Sequence, residues 1–260
     1  MSGHSKWAKI KRQKGVNDAK RGNLFTKLAK NITLAAKEGG GDLTMNFTLR
    51  LAVDKAKAAN MPLDNIKRAI DRGSGKANED IVFQRLSYEA FGPGGTSVII
   101  DCQTDNTNRT YSELRNLVES KGGKFASTGS VSWQFSERGL IVIELAKIIP
   151  SSHFGKDNTR EEIEVEEATM EVMEIEGVED LSDISLEDNI GALEVITLKE
   201  AFSSVLKKIE SLGYKVISAE LVKIPNEKVK IIEPEIEEKV AVLIDTLEEH
   251  DDVDAVWVNI

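Results

Sequence analysis

The hydrophobic pattern of this 260-residue chain changes its period near residue 83. Before that point, apolar residues such as Leu24, Leu28 and Ile32 recur at the spacing of an amphipathic helix. After it, residues 86–91 alternate between apolar and polar, and residues 96–102 are strongly apolar, as in β-strands. The chain therefore combines a helical amino-terminal part with a longer part that contains sheets, which excludes an all-α or all-β fold.

Three helices are predicted in the first part. The first begins at Asn17 or Asp18 and stops at the glycine run 39–41, and the second covers residues 46–59. Pro62 suits the first turn of the third, which Gly73 ends. Short joins between the helices indicate a small bundle, and the polar stretch 73–80 predicts a hinge to the rest of the chain.

The second part predicts two domains of similar plan. Residues 138–224 give the order strand, helix, strand, strand, helix, strand, which is a complete split βαβ unit. The flanking residues 83–136 and 226–260 are each incomplete. We therefore predict an α+β protein with a three-helix domain followed by two ferredoxin-like α/β domains, one inserted in the other. The expected boundaries are 1–76, then 77–136 together with 226–260, then 137–225 as the insertion.

Helix starts in this part are predicted from a repeated capping-box pattern, Thr-x-x-Glu. It occurs at Thr110, Thr159 and Thr197. The helix from Thr159 is expected to run to Gly177, and a further helix should start at Pro234.

Charge divides the chain in the same way. Residues 1–76 carry 17 Lys and Arg against 6 Asp and Glu, a net charge of +11, while the other 184 carry 17 against 38, a net charge of −21. A basic module of this kind most often binds nucleic acid, because each neutralised phosphate releases condensed counterions. The total charge of −10 does not reveal this basic module, so the charge has to be counted segment by segment.

The predicted nucleic-acid contacts lie in an amino-terminal arm, along the first helix and at one later position. They are Lys6, Trp7, Lys9, Lys11, Arg12, Lys14, Lys20, Arg21, Lys27, Lys30 and Arg109. Lysines would follow phosphates, and Trp7 would either stack on a base or pack the arm onto the bundle. The alternative for the arm is a solvated terminus without a ligand. In the third helix, four polar or basic residues would enter a groove if the bundle resembles a helix-turn-helix, and otherwise they belong to an ordinary amphipathic helix: Asn65, Lys67, Arg68 and Arg72.

Arg109 belongs to a loop, 104–110, that joins a strand to a helix. Turn and capping chemistry explains its Asp and Asn residues. Arg109 would also lie beside a helix amino terminus, where backbone N–H groups favour an anion such as phosphate.

The sequence offers no catalytic, cofactor or metal site. His4, His153 and His250 are scattered, and Cys102 is expected to be a packed strand thiol, so no nucleophile, base and orienting group can be assembled. Neither the spacing of metal ligands nor a Cys/His cluster is present. A single cysteine fits a reducing compartment, and no apolar run is long enough to span a membrane, so a cytoplasmic protein is expected.

An acidic segment, 161–188, contains thirteen Asp and Glu and no Lys or Arg. A solvated helix face above a buried stripe that includes Ala168 and Val172 explains it most simply. Alternatively, the segment repels nucleic acid or docks on a basic protein.

Several short strings resemble the YebC/PmpR family, and together they extend over nearly the whole chain. They are Gly3-His-Ser-Lys-Trp7, Asp18-Ala-Lys-Arg-Gly22, Phe25-Thr-Lys-Leu28, Glu38-Gly-Gly-Gly41, Asp54-Lys-Ala-Lys-Ala-Ala-Asn-Met-Pro62, Asp64-Asn-Ile66, Gly92-Pro-Gly-Gly95, Thr104-Asp-Asn106 and Asn108-Arg-Thr110. The chain departs from the family at Thr107, where a basic residue is common, and in residues 150–190.

The resemblance implies a cytoplasmic, non-enzymatic regulator of gene expression with a helical domain and two ferredoxin-like domains. Two functions remain open: a DNA-binding transcriptional regulator, or a ribosome-associated translation factor that binds ribosomal or transfer RNA and relieves stalling at proline-rich stretches. The implied partner is nucleic acid, with no cofactor and no membrane. Neither a monomer nor a dimer is favoured by the sequence.

Overall fold

The computed structural model describes residues 18–76, 83–149, 159–186 and 190–260. Within them the chain forms seven α-helices and nine strands. The helices are α1 (Asp18–Gly39), α2 (Phe47–Ala58), α3 (Leu63–Gly73), α4 (Thr107–Ser120), α5 (Val165–Met173), α6 (Phe202–Ser211) and α7 (Pro234–Glu249). The strands are β1 (Gln84–Phe91), β2 (Ser97–Thr104), β3 (Lys124–Ala126), β4 (Phe135–Ile149), β5 (Thr159–Glu162), β6 (Val178–Ser185), β7 (Gly191–Leu198), β8 (Tyr214–Pro225) and β9 (Val253–Val258).

The first three helices form the predicted bundle around a core of small and branched apolar side chains, among them Ile32, Leu49 and Ile66. Asn46 ties the bundle together. Its buried side chain caps α2 by accepting a hydrogen bond from the Leu49 amide (3.0 Å) and donates to the carbonyls of Ala35 and Gly40 (both 2.8 Å). One side chain therefore satisfies backbone groups at the end of α1 and at the start of α2.

The third helix ends where it touches the first. A Cβ atom on Gly73 would lie 2.1 Å from the Thr33 carbonyl oxygen and 2.8 Å from the Ala36 Cβ atom. Only glycine therefore allows this backbone contact between α3 and α1.

The first sheet is antiparallel, with strand order β3-β1-β2-β9. Because β1 lies between β2 and β3, which α4 connects, this sheet also contains a split βαβ unit. Pairing of β2 with β9, for example Ile100 with Val256, joins the middle of the chain to its last residues. Cys102 lies on β2 with 2% of its surface exposed, as expected for a packed strand thiol, and burial raises the pKa of that thiol.

The second sheet contains β4 to β8. Strand β4 pairs antiparallel with β7 along residues 138–144 and also with β5 and β8. Strand β8 also pairs with β4, and just before β8 the Gly213 carbonyl accepts a hydrogen bond from the Ile148 amide (2.8 Å). The order β8-β4-β7-β6 is that of a ferredoxin-like βαββαβ unit, so the predicted fold class is confirmed.

The three predicted capping boxes are wrong. Thr110 lies inside α4, whose cap is the Asn106 side chain, because the helix begins three residues earlier than expected. Thr159 to Glu162 is strand β5, and the helix begins only at Val165. Thr197 lies in β7, and the next helix starts at Phe202. The acidic segment is accordingly spread over two strands and a helix, although Ala168 and Val172 are buried as predicted.

The chain divides into two compact units. Residues 137–223 form one, and the helical bundle with residues 83–136 and 224–260 forms the other. Among the helices of the described ranges, none combines the length and apolar character that a bilayer crossing requires.

Candidate nucleic-acid interface

Most of the predicted contact residues belong to the arm. Lys6, Trp7, Lys9, Lys11, Arg12 and Lys14 lie outside the described residues. Lys20 and Arg21 follow the start of α1 at Asp18, so their backbone belongs to the first turn of that helix.

Lys27 and Lys30 point from α1 to the carboxyl-terminal part of the chain. The Lys27 ammonium donates to the carbonyl of Glu248. Lys30 Nζ donates to a side-chain oxygen of Asp252 (2.8 Å) and to the Asp251 carbonyl (3.0 Å). These two lysines therefore join the helical bundle to the end of α7 and to the residues between α7 and β9, a contact region called the Asp252 seam. This is a different role from the phosphate contact that the sequence predicts.

The same seam also contains hydrogen bonds of the Asn31 side chain. Asn31, one residue after Lys30, donates through Nδ2 to the Asp254 carboxylate (2.6 Å), and its side-chain oxygen accepts from Gln103 on β2. One turn of α1 therefore binds both β2 and the start of β9.

Asp252 is the centre of this seam. It is 4% exposed, and besides Lys30 it accepts hydrogen bonds from Arg109 Nη2 (2.8 Å), Thr110 Oγ1 (2.9 Å) and Thr104 Oγ1 (3.2 Å). Burial alone would raise the pKa of Asp252, but the donors on Lys30, Arg109 and Thr110 more than offset this and hold the pKa well below its usual range. The carboxylate is therefore charged and fully surrounded.

Arg109 lies at the start of α4, as the sequence predicts, but it faces carboxylates. Its Nη2 atom donates to Asp252 and to Asp105 (3.0 Å), and Glu113 is 4.0 Å from its Nε atom. The hydrogen bond to Asp252 raises the pKa of Arg109 further above its usual value. A phosphate at this position would have to compete with these acidic groups.

Other cations of the bundle are exposed to solvent. They are Lys37, Lys55, Lys57, Lys67, Arg68 and Lys76. On α3, the Arg68 guanidinium contacts its own helix through the Asn65 side chain and the Asp64 carbonyl, whereas the Lys67 side chain is exposed. Arg72 is only half-exposed, so of the proposed groove-reading residues Lys67 is the one presented most directly to a ligand.

A group of potential metal ligands also lies at the seam. Oxygen and nitrogen atoms of Glu113, His250 and Asp252 come within 4.8 Å of one another. His250 Nδ1 accepts from the Asp252 amide (3.1 Å), so its Nε2 carries the proton shared with Glu113 (3.0 Å). Two cationic side chains already bind the Asp252 carboxylate, and this charge arrangement does not fit a metal ion.

Sequence reasoning missed Asp252, because nothing in its local pattern distinguishes it from the neighbouring acidic residues. Its partner Lys30 is 222 positions away in the chain.

Comparison with known proteins gives consistent matches over the chain. A family model described as the TACO1/YebC protein N-terminal domain matches residues 5–76, and one described as the TACO1/YebC second and third domain matches residues 83–260. Relatives from Halothermothrix orenii and Treponema denticola are 42% and 43% identical to this chain, cover all of it, and are themselves covered to 94% and 96%. Each has the name "Probable transcriptional regulatory protein".

A solved structure is similar as well. The crystal structure of a conserved hypothetical protein from Aquifex aeolicus matches with a TM-score of 0.80 and 34% identity, over 98% of this chain and 96% of that one. Because both family models match and together extend over almost the whole chain, the chain belongs to the TACO1/YebC family.

Proposed function

We propose that this chain is a non-enzymatic regulator of gene expression that binds nucleic acid through its basic amino-terminal module, residues 1–76. The observation that carries the proposal is the net charge of +11 on that module beside −21 on the remaining residues. The names of the relatives support regulation of transcription, with DNA as the first target to test. Cytoplasmic residence belongs to the same proposal.

Binding through phosphates, with little reading of base sequence, is the expected mode. Twelve of the 17 cations of the module are lysines, which act as point charges, and five are arginines, which can read guanine by two hydrogen bonds. The arm and the start of α1 would supply most contacts, because Lys27, Lys30 and Arg109 bind the protein itself.

Salt dependence tests this proposal. If five or six phosphates are bound, the logarithm of the affinity should fall against the logarithm of salt concentration with a slope of roughly −4 to −5. Replacing Lys11→Glu together with Arg12→Glu should weaken binding to DNA and RNA and make the slope shallower by about 2, since two phosphate contacts are lost. Fluorescence anisotropy at several salt concentrations measures both quantities.

The matched control is Lys207→Glu with Lys208→Glu on α6. Both lysines are exposed, and the pair changes the total charge by the same amount outside the module. This variant should bind like the wild type. A flat salt response, or equal losses in the two variants, contradicts the proposal.

The second candidate is a translation factor that binds ribosomal or transfer RNA. The excess of lysine over arginine favours it over a sequence-specific regulator, because lysine contacts phosphates without reading the base sequence. Sedimentation of a cell lysate at moderate salt separates the two functions. Migration with ribosomes supports the translation factor. Free protein with a sequence-selective DNA footprint supports the transcriptional regulator.

A further inference from the structure

Trp133 presents an unusually open aromatic side chain. It is 71% exposed, whereas Phe91 and Tyr111, the next most exposed aromatic residues of the described ranges, are 37% and 43% exposed. Leaving an indole in water forgoes about 2 kcal/mol of burial energy, which a packed position would supply. An exposed tryptophan therefore suggests a ligand when the protein also fixes its orientation.

Hydrogen bonds fix both the side chain and the backbone of Trp133. The indole Nε1 donates to the carbonyl of Ser130 (3.1 Å), which closes the side chain onto its own loop. The Trp133 carbonyl accepts from Nδ2 of Asn226 (3.1 Å), a residue that lies beyond the inserted unit in the sequence.

The loop before Trp133 is itself anchored by a buried carboxylate. Glu89 on β1, 4% exposed, accepts hydrogen bonds from the amides of Val131 (2.6 Å), Gly129 (2.7 Å) and Ser132 (3.1 Å). Burial would raise the pKa of Glu89, but these three donors more than offset it and lower the pKa, so the anchor stays charged. A platform fixed in this way loses little conformational entropy when a ligand binds.

The two segments that meet at Trp133 contain few acidic residues compared with the rest of the chain after residue 83. Residues 120–136 contain two lysines and no acidic residue, and residues 224–232, which Asn226 brings to Trp133, contain two lysines and one glutamate. The neighbours of Trp133 in sequence, Ser132 and Gln134, are polar and uncharged. An exposed aromatic ring on segments with so few carboxylates does not repel a polyanion and can stack on its flat bases.

We propose that Trp133 is a stacking platform for an unpaired base of single-stranded nucleic acid. The inference rests on the proposed function and deepens it: the basic module holds phosphates, and the first α/β domain selects strands that have an unstacked base. Stacking recognises the π-face that every base presents, so RNA and DNA single strands are both ligands of this chemistry.

The test compares Trp133→Ala and Trp133→Phe with the wild-type full chain. The probes are fluorescein-labelled oligoadenylate and oligodeoxyadenylate of about 12 nucleotides, within the usual site size, and an RNA duplex of equal length. Loss of the aromatic ring in Trp133→Ala should weaken binding to both single strands by roughly 5- to 100-fold. Trp133→Phe should stay within about 3-fold of the wild type, and binding to the duplex should not change. The salt slope should also be unchanged, because no cation is removed.

The control variant is Met170→Ala, which removes another exposed apolar side chain, 67% exposed, far along the chain on α5. Unaltered thermal unfolding of Trp133→Ala verifies that the loop remains folded. The inference is wrong if Trp133→Ala binds the single strands as tightly as the wild type, or if its binding to the duplex weakens as much as its binding to the single strands. The first of these results would indicate that Trp133 contacts a protein partner instead.

The two proposals fail in different ways. Loss of binding in Lys11→Glu with Arg12→Glu, but not in Trp133→Ala, overturns the stacking platform and keeps the basic module. A wild-type chain that binds none of the probes overturns both.

Discussion

Asp252 keeps a negative charge in the interior because both of its carboxylate oxygens accept hydrogen bonds. Two cations, Lys30 and Arg109, and two hydroxyl groups bind it, and the cations come from the bundle and from α4. Removing the charge from such a site leaves the cations partly desolvated without their partner, which costs more than the loss of an exposed ion pair.

Asp252→Asn is therefore expected to lower the free energy of unfolding by about 2–3 kcal/mol at neutral pH. The effect depends on pH with a definite sign. Since the pKa of Asp252 in the folded protein is held below the value of about 3.9 in unfolded chains, its contribution is complete above that pH and is lost as the pH falls through the folded pKa. The difference between variant and wild type should narrow below about pH 4. Urea unfolding followed by circular dichroism at several pH values measures it.

Asp251→Asn is the control for this prediction. The Asp251 side chain is exposed, and its contact with Lys30 uses the backbone carbonyl, which the substitution keeps. Asp251→Asn should change the free energy of unfolding by less than about 0.5 kcal/mol. A loss as large as that of Asp252→Asn would show that the seam does not depend on the buried carboxylate.

The sequence predicted the basic character of α1 but not which of its cations are available. Lys20 and Lys27 are both lysines of α1, and the sequence does not distinguish them. In the structure, Lys27 and Lys30 donate hydrogen bonds to residues 248–252. Their partners come from more than 200 positions along the chain, and no local pattern records a contact at that separation. The arm, which supplies most of the candidate site, lies outside the described residues and stays a prediction from local charge.

At the scale of helices and strands, the period of apolar residues was a better guide than capping motifs. The bundle helices and the succession of strands and helices in the second sheet follow from spacing, because burial of one face imposes that spacing. Thr-x-x-Glu failed at Thr159 and Thr197 because threonine also favours strands, and β5 and β7 use it there. It failed at Thr110 because the helix had already begun after its cap at Asn106. The helix at Pro234, predicted from proline, is confirmed.

Gly73 offers a test of how α3 is held against α1. Gly73→Ala places a methyl group against the Thr33 carbonyl, so the two helices must separate, and we expect a loss of about 1–3 kcal/mol of unfolding free energy. Gly22→Ala on α1 is the matched change, because the space around that glycine is open and its backbone is helical. It should stabilise the protein by about 0.5–1 kcal/mol. Thermal unfolding of both variants decides the matter: similar shifts in the same direction would contradict the close contact.

At the scale of the whole molecule, charge and topology divide the chain differently. The charge boundary falls near residue 76, whereas compactness joins the bundle to the first sheet and sets residues 137–223 apart. The Asp252 seam explains how a basic module and an acidic domain form one unit. The inserted unit has its own sheet and its own buried residues, among them Ile141, Leu193 and Val205.

Residues 137–223 should therefore fold alone with a cooperative urea transition, because β4, β7 and α6 supply a complete core for a chain of about 90 residues. Residues 83–136 alone should not fold, since β2 would lose its partner β9.

The remainder of the protein should also fold after residues 137–223 are removed. The Asn226 amide donates to the Gln134 carbonyl (2.8 Å), so the two cut ends are adjacent, and a short Gly-Ser linker from Ser136 to Ile224 can close the chain. Circular dichroism and urea unfolding measure each part. An isolated 137–223 without a cooperative transition would show that the insertion depends on its host, and the nested arrangement would then be wrong.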